Sequence, residues 1–226
     1  QGIGASASVA SAADTAGLAA YKAWKTQKDL ADGGGHLVED GVPPLVLRVD
    51  VRHVRPRDAK HGGDRSLGVA RLEFIASHLQ GDEAVIIEPF YDLYIPAIQL
   101  AGGVPVIVPM LAPDEEHPLY RVDWVRVREA ITSKTRLLIL NFPHNPTGIN
   151  LREEDLDALE RIVDETGVML LSDEVYEHIV FDGQQHLSLA TRPALSARSI
   201  VISSFGKTYN ATGWKVGYCC APAAMT

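Results

Sequence analysis

Six short apolar runs, all but one closing on a polar or small residue and most of them separated by helix-like stretches, constrain this chain more than any other feature. They are residues 84–88 (AVIIE), 104–108 (VPVIV), 136–141 (RLLILN), 168–172 (VMLLS), 199–204 (SIVISS) and 215–220 (KVGYCC). A strand that is apolar at consecutive positions has no face to offer water. Such strands belong to a sheet covered on both sides, and sheets of that kind are mostly parallel. Between the runs, residues 67–79, 91–101, 122–131 and 151–165 read as helices. Gly102-Gly103 stops the second and Gly167 the fourth. Asn150 and Glu153 are spaced as a capping box for the fourth, whose apolar stripe is Leu156, Leu159, Ile162 and Val163. The predicted class is therefore α/β, a mostly parallel central sheet with helices on both faces.

In such sheets, ligands bind beyond the carboxyl ends of the strands. Four polar segments follow strand ends here: Glu88 to Tyr91, Asn141 to Gly148, Ser172 to Tyr176, and Ser203 to Lys207. Their convergence predicts one shared site. The chemistry excludes some classes of partner. The net charge of -8 argues against nucleic acid. No apolar run reaches the roughly 18 residues that span a bilayer, so no membrane partner is expected. The stretch 1–20 lacks the basic start and apolar centre of a signal peptide. Cys219 and Cys220 are neighbours on a strand and point to opposite faces, which suits reduced thiols, a cytoplasmic location and no metal site.

Residues 1–65 read differently. A weak helical period covers 15–30, followed by three glycines, a Pro43-Pro44 pair and an Arg-rich stretch. No core pattern follows residue 31, so 1–65 is expected to be a poorly determined N-terminal region and 66–226 an incomplete cofactor-binding large domain.

Lys207 stands just after an apolar strand, among small and hydroxylic residues. Alone it would be a surface lysine at a strand end. A crowded, partly buried setting would suit it to form an imine with a carbonyl cofactor, because burial disfavours the charged amine. Its surroundings favour the second reading. The motifs NFPHNPTG (141–148), SDEVYEHIVFDG (172–183) and SSFGKTYNATGWKVGY (203–218) occur in that order. Asp173 lies 28 residues after Asn145, and Lys207 lies 34 after Asp173. Together with EPFYDLYIPAIQLAGG (88–103), this resembles the fold-type I pyridoxal-phosphate-dependent aminotransferases of class I/II. The likeness is to the branch that includes methionine, kynurenine and N-succinyldiaminopimelate aminotransferases, and it covers about residues 81–223.

The resemblance implies the following roles. Lys207 would be the catalytic lysine that anchors pyridoxal 5'-phosphate and then shuttles a proton. Asp173 would pair with the pyridine nitrogen and keep the ring an electron sink. Asn145 and Tyr176 would donate to the phenolic oxygen, Tyr91 would stack on the ring, and Ser204 and Lys215 would bind the phosphate. It also implies amino acid and 2-oxo acid substrates, of methionine or aromatic type, and a homodimer. His144, His178 and His186 are expected to be structural or solvent-facing, with His144 also within reach of substrate. The tryptophans are expected to pack in the core, and Glu174 to be a structural carboxylate.

Two family features are not recognisable. The phosphate cradle of the family would fall near Gly68 and Val69, where the match is weak. The C-terminal small domain, with the arginine that grips the substrate carboxylate, has no counterpart before Thr226. The expectation is thus a truncated large domain. Three functions follow: an aminotransferase, a carbon–sulfur beta-lyase using the same lysine and aspartate, or a catalytically incompetent remnant.

Overall fold

The computed structural model describes residues 45–48, 79, 81–214 and 217–222. Seven strands form one sheet: β1 (Leu45–Arg48), β2 (Glu83–Glu88), β3 (Val104–Pro109), β4 (Thr135–Asn141), β5 (Met169–Asp173), β6 (Ser199–Ser204) and β7 (Gly217–Pro222). Their spatial order is β1-β7-β6-β5-β4-β2-β3. The five strands from β6 to β3 are mutually parallel. β7 runs antiparallel to β6, and β1 antiparallel to β7. The reversal at β7 has a local cause. Parallel neighbours need a crossover of a dozen or more residues, usually a helix packed on the sheet. Between β6 and β7 the described residues form only the one-turn helix α5 (Phe205–Thr208) and a 3-10 turn (Thr212–Trp214), and the chain comes back alongside β6.

Both faces are covered, as the apolar runs predict. Along β2, Val85 and Ile87 enter one core while Ala84 and Ile86 enter the other. Leu138 and Leu140 of β4 face the first core, Leu137 and Ile139 the second. Helix α1 (Tyr94–Leu100) covers the second through Tyr94, Ala97 and Ile98. Helices α2 (Trp124–Ala130), α3 (Glu153–Thr166) and α4 (Pro193–Ser196) cover the first. The predicted stripe of α3, Leu156, Leu159, Ile162 and Val163, is buried throughout. Gly167 ends that helix with φ 66°, a left-handed conformation that glycine adopts without steric cost. Cys219 packs against the second core and Cys220 beside Val201 on the opposite face, as alternation along a strand requires.

Two readings need correction. The capping box of α3 does not use Asn150 and Glu153. The carboxylate of Asp155 instead accepts from the Arg152 N–H at 2.8 Å. Its other oxygen is held at 2.8 Å by the indole N–H of Trp124, from α2. Asn150 is drawn elsewhere, donating to Gln184 Oε1 at 2.6 Å. Helix α1 begins at Tyr94 rather than 91, because Asp92 and Leu93 form a turn before it. Within 1–65 the described residues are those of the strand β1. The helix expected over 67–79 falls outside the described residues except at Leu79, as do Gly68, Val69 and Lys215. Among the described residues, no helix is long and apolar enough to cross a membrane.

Candidate active site

Parallel strands bring their carboxyl ends to one edge of the sheet. There β2 ends at Glu88, β4 at Asn141, β5 at Asp173 and β6 at Ser204. Asn141 and Asp173 are register partners, and Asp173 lies opposite Ile202 of β6. The strand order therefore sets the 141–148 loop, Asp173 and the 203–207 segment side by side.

Asp173 is 2% exposed. A buried carboxylate is tolerated only with donors around it. Tyr94 Oη donates to its Oδ2 at 2.6 Å, and the Val175 N–H to its Oδ1 at 3.4 Å. Tyr94 comes from the start of α1, where its N–H also donates to the Tyr91 carbonyl at 3.1 Å. The two rings meet edge to face, with centroids 5.8 Å apart. Tyr91 and Asp173 are thus joined through Tyr94, a residue the sequence reading did not single out.

Asn141 was also missed as a site residue. Its Nδ2 donates to the Asp173 carbonyl at 2.9 Å, and its Oδ1 accepts from the Asn145 N–H at 3.1 Å. One side chain therefore ties the Asn145 loop to the end of β5. The only sequence signal for this was its position at a strand end, inside the 141–148 motif.

His144 neither faces solvent nor stands open to a substrate. It is 5% exposed and lies beside Phe142, with ring centroids 5.3 Å apart. Its Nδ1 is 2.8 Å from Thr147 Oγ1 and accepts from the Thr147 N–H at 3.4 Å. The ring also hydrogen-bonds to the Pro89 backbone, which has only a carbonyl to offer. His144 thereby latches the 141–148 loop to the segment that leads into Tyr91.

Burial pushes the His144 pKa down to about 4 from 6.5. Above pH 6.5 the ring is neutral whether the chain is folded or not. Below it, the unfolded chain takes up a proton that the folded site refuses, so stability falls until about pH 4. The loss amounts to about 3 kcal/mol. Urea unfolding at pH 7 and pH 4.5 should show a smaller drop in His144→Gln than in the native sequence. Equal drops would refute this assignment.

Tyr176 is half-buried in the turn after β5. Lys207 Nζ lies 5.6 Å from the centroid of its ring, within cation–π range. Lys207 itself is exposed rather than partly buried as expected, because α5 carries it beyond the edge of the sheet. Ser204 is 3% exposed, and its Oγ is buried with no hydrogen-bond partner among the described residues. Next to it, a Cβ on Gly206 would come within 3.1 Å of Thr212 Cα, a tight contact that a side chain could make only if the neighbouring backbone shifted by a few tenths of an ångström.

The remaining polar residues are structural. Glu174 is 1% exposed and accepts from Ser172 Oγ at 2.9 Å and the Leu189 N–H at 3.2 Å. His186 Nε2 lies 2.8 Å from its other oxygen. His178 Nε2 lies 3.7 Å from Glu177 Oε1. Trp124 packs against the first core.

The sequence model of the family described as aminotransferase class I and II matches residues 66–226. Over 146 residues the chain is 46% identical to the methionine aminotransferase of Escherichia coli (strain K12), an alignment covering 65% of this chain and 36% of that protein. Over 145 residues it is 45% identical to a probable N-succinyldiaminopimelate aminotransferase, DapC, of Mycobacterium tuberculosis, covering 64% and 36%. The solved structure of the Mycobacterium tuberculosis N-succinyldiaminopimelate aminotransferase superposes with a TM-score of 0.67 at 36% identity, covering 80% of this chain and 42% of that one. The chain thus spans about a third of the length of the curated relatives it matches.

Proposed function

This chain belongs to the class I and II aminotransferase family, and we propose that the edge described above is the cofactor-binding half of a site that moves an amino group between an amino acid and a 2-oxo acid. Aminotransferases of this class and fold use pyridoxal 5'-phosphate. When bound, that group supplies an aldehyde to carry the amino group and a ring to accept electrons. The observation that carries the reading is a buried carboxylate, Asp173, at the end of β5, with an amine, Lys207, over the ring of Tyr176 in the turn that follows that strand.

The donor set fits the cofactor group by group. Ser204 Oγ is a buried hydroxyl in need of a partner, which suits a phosphate oxygen. A Cβ at Gly206 would lie 3.6 Å from that same Ser204 Oγ, so glycine keeps the approach to the hydroxyl open. Asp173, oriented by Tyr94, suits the pyridine nitrogen. The Asn145 amide and the Tyr176 phenol suit the phenolic oxygen, and Tyr91 suits the ring face. Lys215, beyond the described residues, is assigned to the phosphate by its place in the motif.

Each residue then has a task. Lys207 Nζ would hold the aldehyde carbon and, once released, would carry a proton between the substrate α-carbon and the cofactor. The Asp173 carboxylate would keep the ring nitrogen protonated. Tyr176 and Asn145 would donate to the ring oxygen and so help orient the group. The name of the Escherichia coli relative supports methionine as donor, and the motifs' resemblance to the kynurenine aminotransferases adds an aromatic amino acid as the second candidate. A homodimer is part of the same reading, supported by the exposed Phe205 and Tyr209 beside Lys207. So is a cytoplasmic location.

Titration of the purified chain with pyridoxal phosphate tests the proposal. A new long-wavelength band is expected, and it should change on adding L-methionine and return on adding a 2-oxo acid. A band that methionine leaves unaltered would rule out amino transfer by this chain. Absence of any band would rule out the cofactor site.

A further inference from the structure

The turn that carries Tyr176 also carries Glu177, whose side chain is 16% exposed. Two hydroxyls converge on one of its oxygens. Tyr218 Oη donates to Oε1 at 2.6 Å, and Ser203 Oγ to the same atom at 3.2 Å. Ser203 and Tyr218 are register partners on β6 and β7. Directly opposed residues on antiparallel strands project from the same face, so both reach the one carboxylate. Ser203 also approaches the Glu174 carbonyl at 3.4 Å, a second tie to the same turn. Burial, then the nearby Glu177 charge and the bond to it, push the Tyr218 phenol far above its ordinary pKa. It therefore remains a donor throughout the assay range.

These contacts sit between the two halves of the proposed site. On one side of Glu177 in sequence is Tyr176. Directly after Ser203 come Ser204 and, in α5, Lys207. Phe205 of α5 also packs on the Tyr218 ring, with centroids 5.7 Å apart. The carboxylate thus joins the Tyr176 turn to the strand pair from which Lys207 projects, while Lys207 Nζ lies over the Tyr176 ring. We propose that Glu177 is a positioning residue, held by Tyr218 and Ser203, that fixes the Tyr176 phenol relative to Lys207. In its effect on cofactor this rests on the function proposed above.

Glutamine at 177 keeps the size of the side chain but gives Tyr218 and Ser203 a weaker acceptor. In the cofactor-free chain labelled with 3-fluorotyrosine, the Tyr176 resonance is assigned by its loss in Tyr176→Phe. Glu177→Gln is expected to move that resonance, and Tyr218→Phe to move it the same way. In the loaded chain, Glu177→Gln is expected to weaken pyridoxal phosphate binding roughly tenfold and to shift the absorbance maximum. In a Tyr176→Phe background it should add little further loss, because its effect passes through Tyr176. An unmoved Tyr176 resonance overturns the proposal, with or without cofactor. So does an undiminished loss of affinity in the Tyr176→Phe background. A moved resonance in a chain that binds no cofactor upholds the positioning and rejects the assigned function instead.

Discussion

Lys207→Ala is expected to leave no covalent attachment of pyridoxal phosphate to the chain. Borohydride reduction followed by peptide mass spectrometry should find the cofactor's mass on the peptide containing Lys207 in the native sequence and nowhere in the variant. The expectation follows from chemistry and place. Alanine has no nucleophile, and Lys207 is the amine found over the Tyr176 ring, just past the end of β6. Lys207→Arg should fail equally, since a guanidinium stays protonated and does not act as an amine. Amino transfer should fall by about 10²- to 10⁴-fold from lost acid–base work alone. The substitution should leave folding intact, because the side chain is exposed. Label retained elsewhere in Lys207→Ala would place the anchor on another lysine and undo the assignment.

Asp173→Asn is the second large effect. The carboxylate is buried at the end of β5 and receives the Tyr94 hydroxyl at 2.6 Å. An amide is the same size but carries no charge, and half of it donates where the carboxylate accepts. A hydrogen bond between charged groups contributes about 1.5–3 kcal/mol. Losing it would weaken cofactor binding by about 10- to 150-fold. The cofactor-free variant should be no less stable than the native chain, because burying an amide costs less than burying a carboxylate. Affinity and urea midpoint measured on the same sample separate the two effects. Unchanged affinity would mean that Asp173 does not meet the cofactor, and a drop in both would mean that it serves the fold.

Much of this site was legible in the sequence, because its chemistry sits in contiguous motifs. Asn145, Asp173, Tyr176, Ser204 and Lys207 each follow a strand end, and the structure brings those ends to one edge. Tyr94, Asn141 and Glu177 were not legible as site residues. Their partners are 79, 32 and 41 residues away, and no local pattern encodes such contacts. The cap of α3 failed for the same reason. Asn150 and Glu153 have suitable spacing, but the Trp124 indole and Gln184 decide which side chains are available.

Local periodicity determined the elements, since burial of one stripe or of both faces of a strand is written in neighbouring residues. It also determined the α/β class, while the candidate reactive groups came from what the resemblance of the motifs implies. Tertiary structure alone decided that β7 turns back antiparallel and that β1 closes the edge beside it. It alone decided that Lys207 stands exposed over Tyr176, that His144 is a buried latch, and that Tyr94 holds Asp173. Pairing and side-chain contact depend on register and on hydrogen bonds between segments far apart in the chain. Their energies exist only once those segments have been brought together.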